Sequence, residues 1–412
     1  MKRLIVCCDG TWQDLNTAYP TNVVKLVQAL KSTAPAGNES ISQITYYDEG
    51  LGTSQGIKTS DLINRIGGGA LGLGIDHKIQ SAYRFICLNY EPNDEIYLFG
   101  FSRGAYIVRS LAGLIYNSGL LKREHIRKVS EAYEVYRGRD KDCKPNGPKS
   151  LKFRQENGIT YFPPQGKPEE DCGRVSIKAL GCWDTVCSLG IPKVNILGML
   201  RNSKIHRERY EFHDDRVNRL VEHAFHAVAI DEKRSVFDVT LMEPHDENHK
   251  NQILQVWFPG FHGCVGGGFE SAKGLKFIKF LKSIKGIESV KGLSDIALLW
   301  MMDQVESLGL ALDAIKVTGG IEPNYKTGFE HEQPTGISSK LGNHLRPSPS
   351  KCSDSGRPVN RLIPRESLHS SVIQRWQDPE MDYRPKNLSH LSDYLDAALV
   401  SSEKNNKTLL EV

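Results

Sequence analysis

The stretch EIYLFGFSRGAY, Glu95–Tyr106, decides the fold. A continuous apolar run, Ile96–Phe101, leads directly into Gly100-Phe101-Ser102-Arg103-Gly104, and a helix-forming run, Ala105–Tyr116, follows at once. This is the strand–turn–helix setting of a G-x-S-x-G nucleophile elbow. The reason for the pattern is steric. A serine at so tight a turn needs small residues two before and two after it, so that strand and helix can pass closely. Its hydroxyl is then lifted out of the sheet. The pentapeptide alone also fits an ordinary Gly-rich turn, and it is the flanking strand and helix that favour the elbow.

The same alternation continues on either side. Leu4–Cys8, Ile44–Tyr47, Ile177–Trp183 and Leu254–Phe258 read as buried strands. Asn22–Lys31, His77–Asn89, Asp215–Ala229 and Leu293–Leu308 read as helices. Strands apolar on both faces that alternate with amphipathic helices predict a mostly parallel sheet flanked by helices, the α/β class. Two stretches break the rhythm. Residues 122–174 open as a charged helix, Arg123–Tyr136, and become a polar loop, which predicts a helical and loop insertion over the site. Residues 318–390 are irregular and end near a short helical run, Leu368–Trp376. The expected organisation is one domain over 1–392, with a C-terminal helix and solvated tail over 393–412.

A serine nucleophile needs a base and a group that orients the base. In elbow proteins these follow in the order Ser, acid, His. Asp184 closes the strand Ile177–Trp183, and His262 lies in the turn after Leu254–Phe258, just before Val265-Gly266-Gly267-Gly268. Both sit past the carboxyl end of a strand, where an open α/β sheet gathers its site. Ser102, Asp184 and His262 are therefore the candidate triad. Of the 13 histidines, His226 and His369 are the nearest rivals: His226 falls in the helical pattern VEHAFHAVAI, while His369 opens a short helix that could reach the site. The turn Asp9-Gly10-Thr11-Trp12 ends the first strand. The N–H groups of Gly10 and Thr11, with that of Arg103, are the candidate oxyanion donors. Asp9 reads as a residue that fixes this turn. A second glycine run, Gly67–Gly74, contains GxGxxG but follows no strand, so it reads as a flexible helix entrance rather than a dinucleotide site.

Composition limits the remaining options. Lys+Arg 53 against Asp+Glu 49 gives a net charge of +4 over 412 residues, too balanced for a nucleic-acid binder. The nine cysteines form no regular framework or zinc spacing, so reduced thiols, no metal and no cofactor are expected. Cys264, two residues from His262, is expected to make activity sensitive to oxidation. The first apolar run spans only Leu4–Cys8, against the ~7–15 residues of a signal peptide, and no run approaches the ~18 of a membrane span. A cytoplasmic location is expected. Arg346, Arg357, Arg361 and Arg365 form a candidate contact for an anionic membrane surface, with a merely solvated face as the alternative.

In these residues the chain resembles the family of uncharacterised α/β-hydrolase domains that includes the type VI secretion phospholipase effectors. The matching blocks are CDGTW (Cys8–Trp12), YYDEGLGT (Tyr46–Thr53), GGALGLGIDHKIQSAYRFI (Gly68–Ile86), EIYLFGFSRGAYIVRSLAGLI (Glu95–Ile115) and GCWDTVCSLG (Gly181–Gly190). They continue through FHAVAIDEKRSVFDVTL (Phe225–Leu241), VWFPGFHGCVGGGF (Val256–Phe269), LSDIALLWMMDQVESLGL (Leu293–Leu310) and YRPKNL (Tyr383–Leu388). The resemblance implies a Ser–Asp–His hydrolase of carboxylic esters, phospholipase-like, working without cofactor. It puts Ser102, Asp184 and His262 on the family's motif positions. One departure is Cys264, where the family usually carries an acid two residues after the histidine. The alternatives are a soluble short-chain esterase and a non-catalytic binding module that keeps the fold.

Overall fold

The computed structural model describes residues 1–10, 19–37, 39–50, 70–159, 175–186, 216–234, 237–246, 252–268, 291–329, 346, 365–398 and 409–411. Strand β1 (Lys2–Cys8) is followed by helix α1 (Asn22–Ala29), β2 (Thr33–Ala36) and β3 (Glu39–Asp48). Helix α2 (Ala70–Asn89), β4 (Glu95–Phe101) and α3 (Arg103–Ser118) come next. Helices α4 (Val129–Arg137) and α5 (Pro148–Asn157) lead to β5 (Ile177–Trp183), a short β6 (Arg216–Val217) and β7 (Val221–Ala229). The rest comprises β8 (Glu243–Pro244), β9 (Ile253–Phe258), α6 (His262–Gly266), α7 (Lys291–Ser307), β10 (Arg365–His369), α8 (Ser370–Gln377), α9 (Ser392–Ala397) and β11 (Leu409–Glu411).

The main sheet runs β11-β10-β9-β7-β5-β4-β1-β3-β2. Every pair from β3 across to β10 is parallel, and only the edges β2 and β11 are antiparallel. The predicted class holds. Strand β1 shows how the layers form, because alternate residues point to opposite faces. Leu4, Val6 and Cys8 pack with Ile79, Tyr83 and Ile86 of α2 and Ala105, Val108 and Leu111 of α3. Ile5 and Cys7 pack with Val23 and Leu26 of α1 and Ala297, Met301 and Val305 of α7. A third cluster joins Val228 and Trp257 of the sheet to Leu368, Val372, Trp376, Tyr383 and Leu395. Residues 368–395 of the C-terminal region are thus part of the core. The chain leaves β1 toward β3 on one side and returns to β4 on the other. This puts the topological switch point, the usual ligand crevice of such sheets, between β1 and β4.

Several expectations need correction. Asp215–Ala229 is not a helix: Val221–Ala229 is β7, which pairs with β5 and β9. Enclosed on both sides, it has no need of the polar–apolar alternation that signals a strand. Leu368 and His369 end β10, and the helix starts only at Ser370. The end of the chain includes a strand, β11, paired with β10, where a solvated tail is expected. The described part of the insertion does not cover Ser102. Arg154 donates to Asn117 O (2.7 Å) and Ser118 Oγ to Ala132 O (2.9 Å), which fixes it at the end of α3 farther from the elbow. Gly72 and Gly74, of the glycine run, lie within α2. Among the described residues no helix is long and apolar enough to cross a membrane.

His369 is buried, caps α8 through Ser371 N–H and stacks on Phe258 at 4.7 Å. Burial pulls its pKa down from 6.5 to about 3. A histidine depressed in this way contributes stability above pH 6.5 that is lost as pH falls toward 3, because the unfolded chain binds the extra proton. His369→Asn keeps a cap and removes the titration. Its unfolding free energy, measured by denaturant from pH 7 to 4.5, should fall less steeply than the wild type's by up to ~1.4 kcal/mol per pH unit. Parallel curves would show that His369 titrates alike in the folded and unfolded states.

Candidate active site

Ser102 stands between β4 and α3 at φ 58°, ψ −121°, a conformation that few residues with a side chain adopt. Such strain costs ~1–3 kcal/mol and persists only where the surroundings enforce it. Two glycines enforce it here. A Cβ on Gly100 would stand 2.5 Å from the Gly104 carbonyl, and a Cβ on Gly104 only 2.1 Å from the Cys8 carbonyl oxygen. The start of α3 therefore crosses directly over the end of β1, a contact that the glycine spacing does not itself name. The Ser102 hydroxyl makes no capping bond to its helix.

The Ser102 peptide is tied to the turn that carries Asp184. Its N–H donates to Trp183 O (3.0 Å), and its carbonyl accepts from Val186 N–H (3.4 Å). Asp184 itself lies at φ 42°, with its side chain 0% exposed. Its Oδ1 accepts from Ala229 N–H (3.0 Å) and from Arg346 Nη1 (2.5 Å). Oδ2 accepts from Arg346 Nη2 (2.9 Å) and lies 2.5 Å from His262 Nδ1. Burial alone would push this carboxyl up. The Arg346 charge, then the His262 hydrogen bond, more than offset it and hold it well below the usual carboxylate range.

His262 opens α6, its ring flanked by Phe101 at 4.6 Å and Phe237 at 4.8 Å. Its N–H donates to Glu232 Oε2 (3.2 Å), and Glu232 in turn holds Arg234 (2.7 Å). Burial lowers the His262 pKa below 6.5 despite the opposing pull of Asp184. The imidazole is thus neutral at neutral pH. With an ionised Asp184 accepting from Nδ1–H, the lone pair falls on Nε2. Ser102, Asp184 and His262 follow β4, β5 and β9, so all three stand at the carboxyl ends of parallel strands.

The oxyanion candidates fare unequally. Gly10 does lie against the nucleophile, since a Cβ there would meet Ser102 Cβ at 3.2 Å. Its N–H, however, donates to Asp9 Oδ1 (2.7 Å), and Asp9 Oδ2 accepts from Thr21 (2.6 Å) and Tyr47 (3.0 Å). Gly10 is therefore a spacer, not a free donor, and Asp9 fixes the turn. Thr11 lies outside the described residues. Arg103 N–H is at the first position of α3, where no intrahelical acceptor exists.

Other readings are also corrected. His226 is buried in β7, where its Nε2 accepts from Thr185 N–H (3.1 Å) and its Nδ1 faces Gln255 (2.9 Å), a satisfied core histidine. His369, stacked on Phe258, does not reach Asp184. Cys264 is buried and its thiol pKa is raised by burial, which argues against the expected oxidation sensitivity. Arg346, grouped by sequence with surface arginines, is wholly buried against Asp184, because a buried carboxylate recruits the cation that best matches both its oxygens. Arg357 and Arg361 lie outside the described residues. Sequence reasoning missed Arg346 and Glu232 as parts of the site. Neither had a cue in the sequence: Glu232 follows a strand that the sequence reads as a helix, and Arg346 stands among arginines that read as surface.

The sheet order and the strand–turn–helix at Ser102 define an α/β-hydrolase-like fold. The chain belongs to the family described as T6SS, Phospholipase effector Tle1-like, catalytic domain, whose model matches residues 2–304. It is 30% identical over 251 residues to an uncharacterized protein of Saccharomyces cerevisiae, covering 59% of this chain and 33% of that protein. It thus spans a third of the length of that curated relative. Two solved structures are similar. One is of an uncharacterized protein from Pseudomonas aeruginosa (16% identity, TM-score 0.42, 82% of this chain and 52% of that one). The other is the Tle1 effector bound to the VgrG spike from the Type 6 secretion system (13% identity, TM-score 0.43, 78% and 76%).

Replacing Gly104 with alanine forces a methyl into the Cys8 carbonyl and should cost at least ~2 kcal/mol of stability. Gly328→Ala, which meets nothing within 4 Å, should stay within ~0.5 kcal/mol of wild type. Thermal melts of both variants check this. Equal melting temperatures would mean that α3 does not cross β1 as closely as described.

Proposed function

We propose that the chain is a serine hydrolase of carboxylic esters, lipase- or phospholipase-like, that works through Ser102, His262 and Asp184. One observation carries the reading: a serine held at positive φ by obligatory glycines, bonded to the turn of a buried Asp184 that pairs with a neutral His262. Membership of a phospholipase-effector family supports the lipid-ester class of substrate. The resemblance implies an acid at position 264, where this chain carries a buried thiol.

In this reading Ser102 Oγ attacks the ester carbonyl carbon while His262 Nε2 takes its proton. The carbonyl electrons move onto oxygen, and the N–H of Arg103 holds the oxyanion, a donor typically worth ~10²–10³ in turnover. The intermediate collapses, the C–O bond to the alcohol breaks, and His262 returns the proton to the leaving oxygen. Water then cleaves the acyl-enzyme by the same steps. Asp184 keeps the imidazole tautomer and stabilises the imidazolium that forms in each step.

Hydrolysis of p-nitrophenyl esters from acetate to palmitate, with Ser102→Ala beside the wild type, tests the reading. The variant should lose at least ~10³-fold in kcat while its melting temperature holds. Activity that grows with chain length supports a lipase, and activity confined to short chains a soluble esterase. A wild type that neither cleaves these esters or phospholipid vesicles nor labels at Ser102 with a fluorophosphonate would overturn the proposal in favour of a binding module.

The pH dependence has a defined direction. Because burial holds His262 below 6.5, the acid limb of kcat/KM, which reports the free enzyme's base, should have its midpoint below pH 6.5. A midpoint above 6.5 would assign the limb to another group.

A further inference from the structure

Arg346 lies past residue 304, where the family's catalytic-domain match ends, yet its side chain is fully buried in the site. Its two Nη groups grip both oxygens of Asp184, at 2.5 and 2.9 Å. The same two nitrogens donate to Ala229 O (3.1 Å), at the end of β7, and to Phe237 O (2.6 Å), whose ring lies on His262. The guanidinium therefore fixes at once the acid, the end of the neighbouring strand and the aromatic wall of the imidazole. Arginine suits this task because its planar fork matches a carboxylate in two bonds, which a point charge such as lysine cannot do.

We infer that Arg346 is a positioning residue for the hydrolytic triad: a cation, supplied from outside the catalytic-domain match, that holds Asp184 ionised and aimed at His262. The inference rests on the triad reading and adds to it a dependence on the C-terminal region. Its chemical consequence follows from the charges around the pair. Asp184 faces Arg346, His262 and His226; His262 faces Asp184, Glu232 and Arg346; Arg346 also feels Glu232 and Asp238. Removing the Arg346 charge lets burial push Asp184 back up. It also takes away a repulsion that holds the His262 proton off. Both changes move the acid limb of kcat/KM to higher pH. A purely structural loss would lower the rate equally at every pH.

The experiment is a pH profile of ester hydrolysis for wild type, Ser102→Ala, Arg346→Met, Arg346→Lys, Asp184→Asn and the double variant Asp184→Asn/Arg346→Met, each checked by thermal melt. Arg346→Met should lower kcat/KM by ~10²-fold near neutral pH and shift the acid limb upward. Arg346→Lys should lose ~10-fold with a smaller upward shift, since one ammonium cannot hold both oxygens. In the Asp184→Asn background, Arg346→Met should cost less than ~3-fold, because a residue that acts through Asp184 has little left to lose. An unshifted limb, or a loss as large in the Asp184→Asn background as in wild type, overturns the inference. Should Arg346→Met fail to fold, an Arg346→Lys variant with wild-type rate and profile overturns it as well. Wild-type activity that survives Ser102→Ala instead brings down the triad reading itself, which separates the two failures.

Discussion

A carboxylate with no access to solvent keeps its charge only if the protein replaces the water it has lost, and Asp184 is that carboxylate. Its replacement solvation comes from four directions: the N–H at the end of β7, both arms of Arg346 and the imidazole of His262. None of these groups is near Asp184 in the chain; Arg346 is 162 residues away. Satisfying one side chain thus requires β5, β7, the turn after β9 and part of the C-terminal region to be in place together. A second carboxylate, Glu232, is treated alike, with Arg234 for charge and the His262 amide for a hydrogen bond. The two buried acids pull the imidazole toward its charged form, and burial and Arg346 oppose them. Burial then decides its protonation, and it stays neutral.

A steric constraint fixes the other half of the site. Besides the bond from Tyr106 N–H to its carbonyl in the first turn of α3, the backbone bonds of the strained Ser102 run outside the elbow, to Trp183 and Val186. The bonds that hold the serine in its unusual conformation also hold the Asp184 turn. Gly10 completes this contact by offering no Cβ where one would press on Ser102 and Phe101. Phe101 in turn lies on the His262 ring and fills the space above Gly266, where a Cβ would approach to 1.9 Å. Four glycines, at 10, 100, 104 and 266, serve one purpose. They let backbone and aromatic ring come close together where the ends of β1, β4 and β9 meet.

What the sequence made legible, and what it did not, divides along the range of the interactions. The strand–turn–helix at Ser102 could be read because its requirements are local: small residues at fixed offsets from a serine, an apolar run before and a helical run after. The places of Asp184 and His262 at strand ends could be read because each follows an apolar run by a few residues. Strand β7 could not. Its sequence, VEHAFHAVA, is rich in alanine and carries Glu222 near its start, and a strand buried on both faces loses the alternation that separates it from a buried helix. Arg346 could not be read either, because nothing in its neighbours encodes a partner that the fold brings from so far away. Grouped in sequence with other arginines, it suggested a surface, and only the packed structure distinguishes a solvated arginine from one that neutralises a buried acid.

The same distinction bears on where the functional unit ends. A match over residues 2–304 contains Ser102, Asp184 and His262, and by motif alone it is complete. By packing it is not. Beyond it lie β10, which pairs with β9; Leu368, Trp376 and Tyr383, which cover Val228 and Trp257; and Tyr383 Oη, which donates to Asp231 (2.8 Å) beside the Gly260 turn leading into His262. Asp231, pushed up to about 6 by burial, accepts from Gly260 N–H (2.6 Å) as well, so the entry to α6 is held from the C-terminal side. A motif records candidate residues at fixed places in the chain. The residues that hold Asp184 and His262 against each other are set by burial and charge, and in this chain they extend well past the motif.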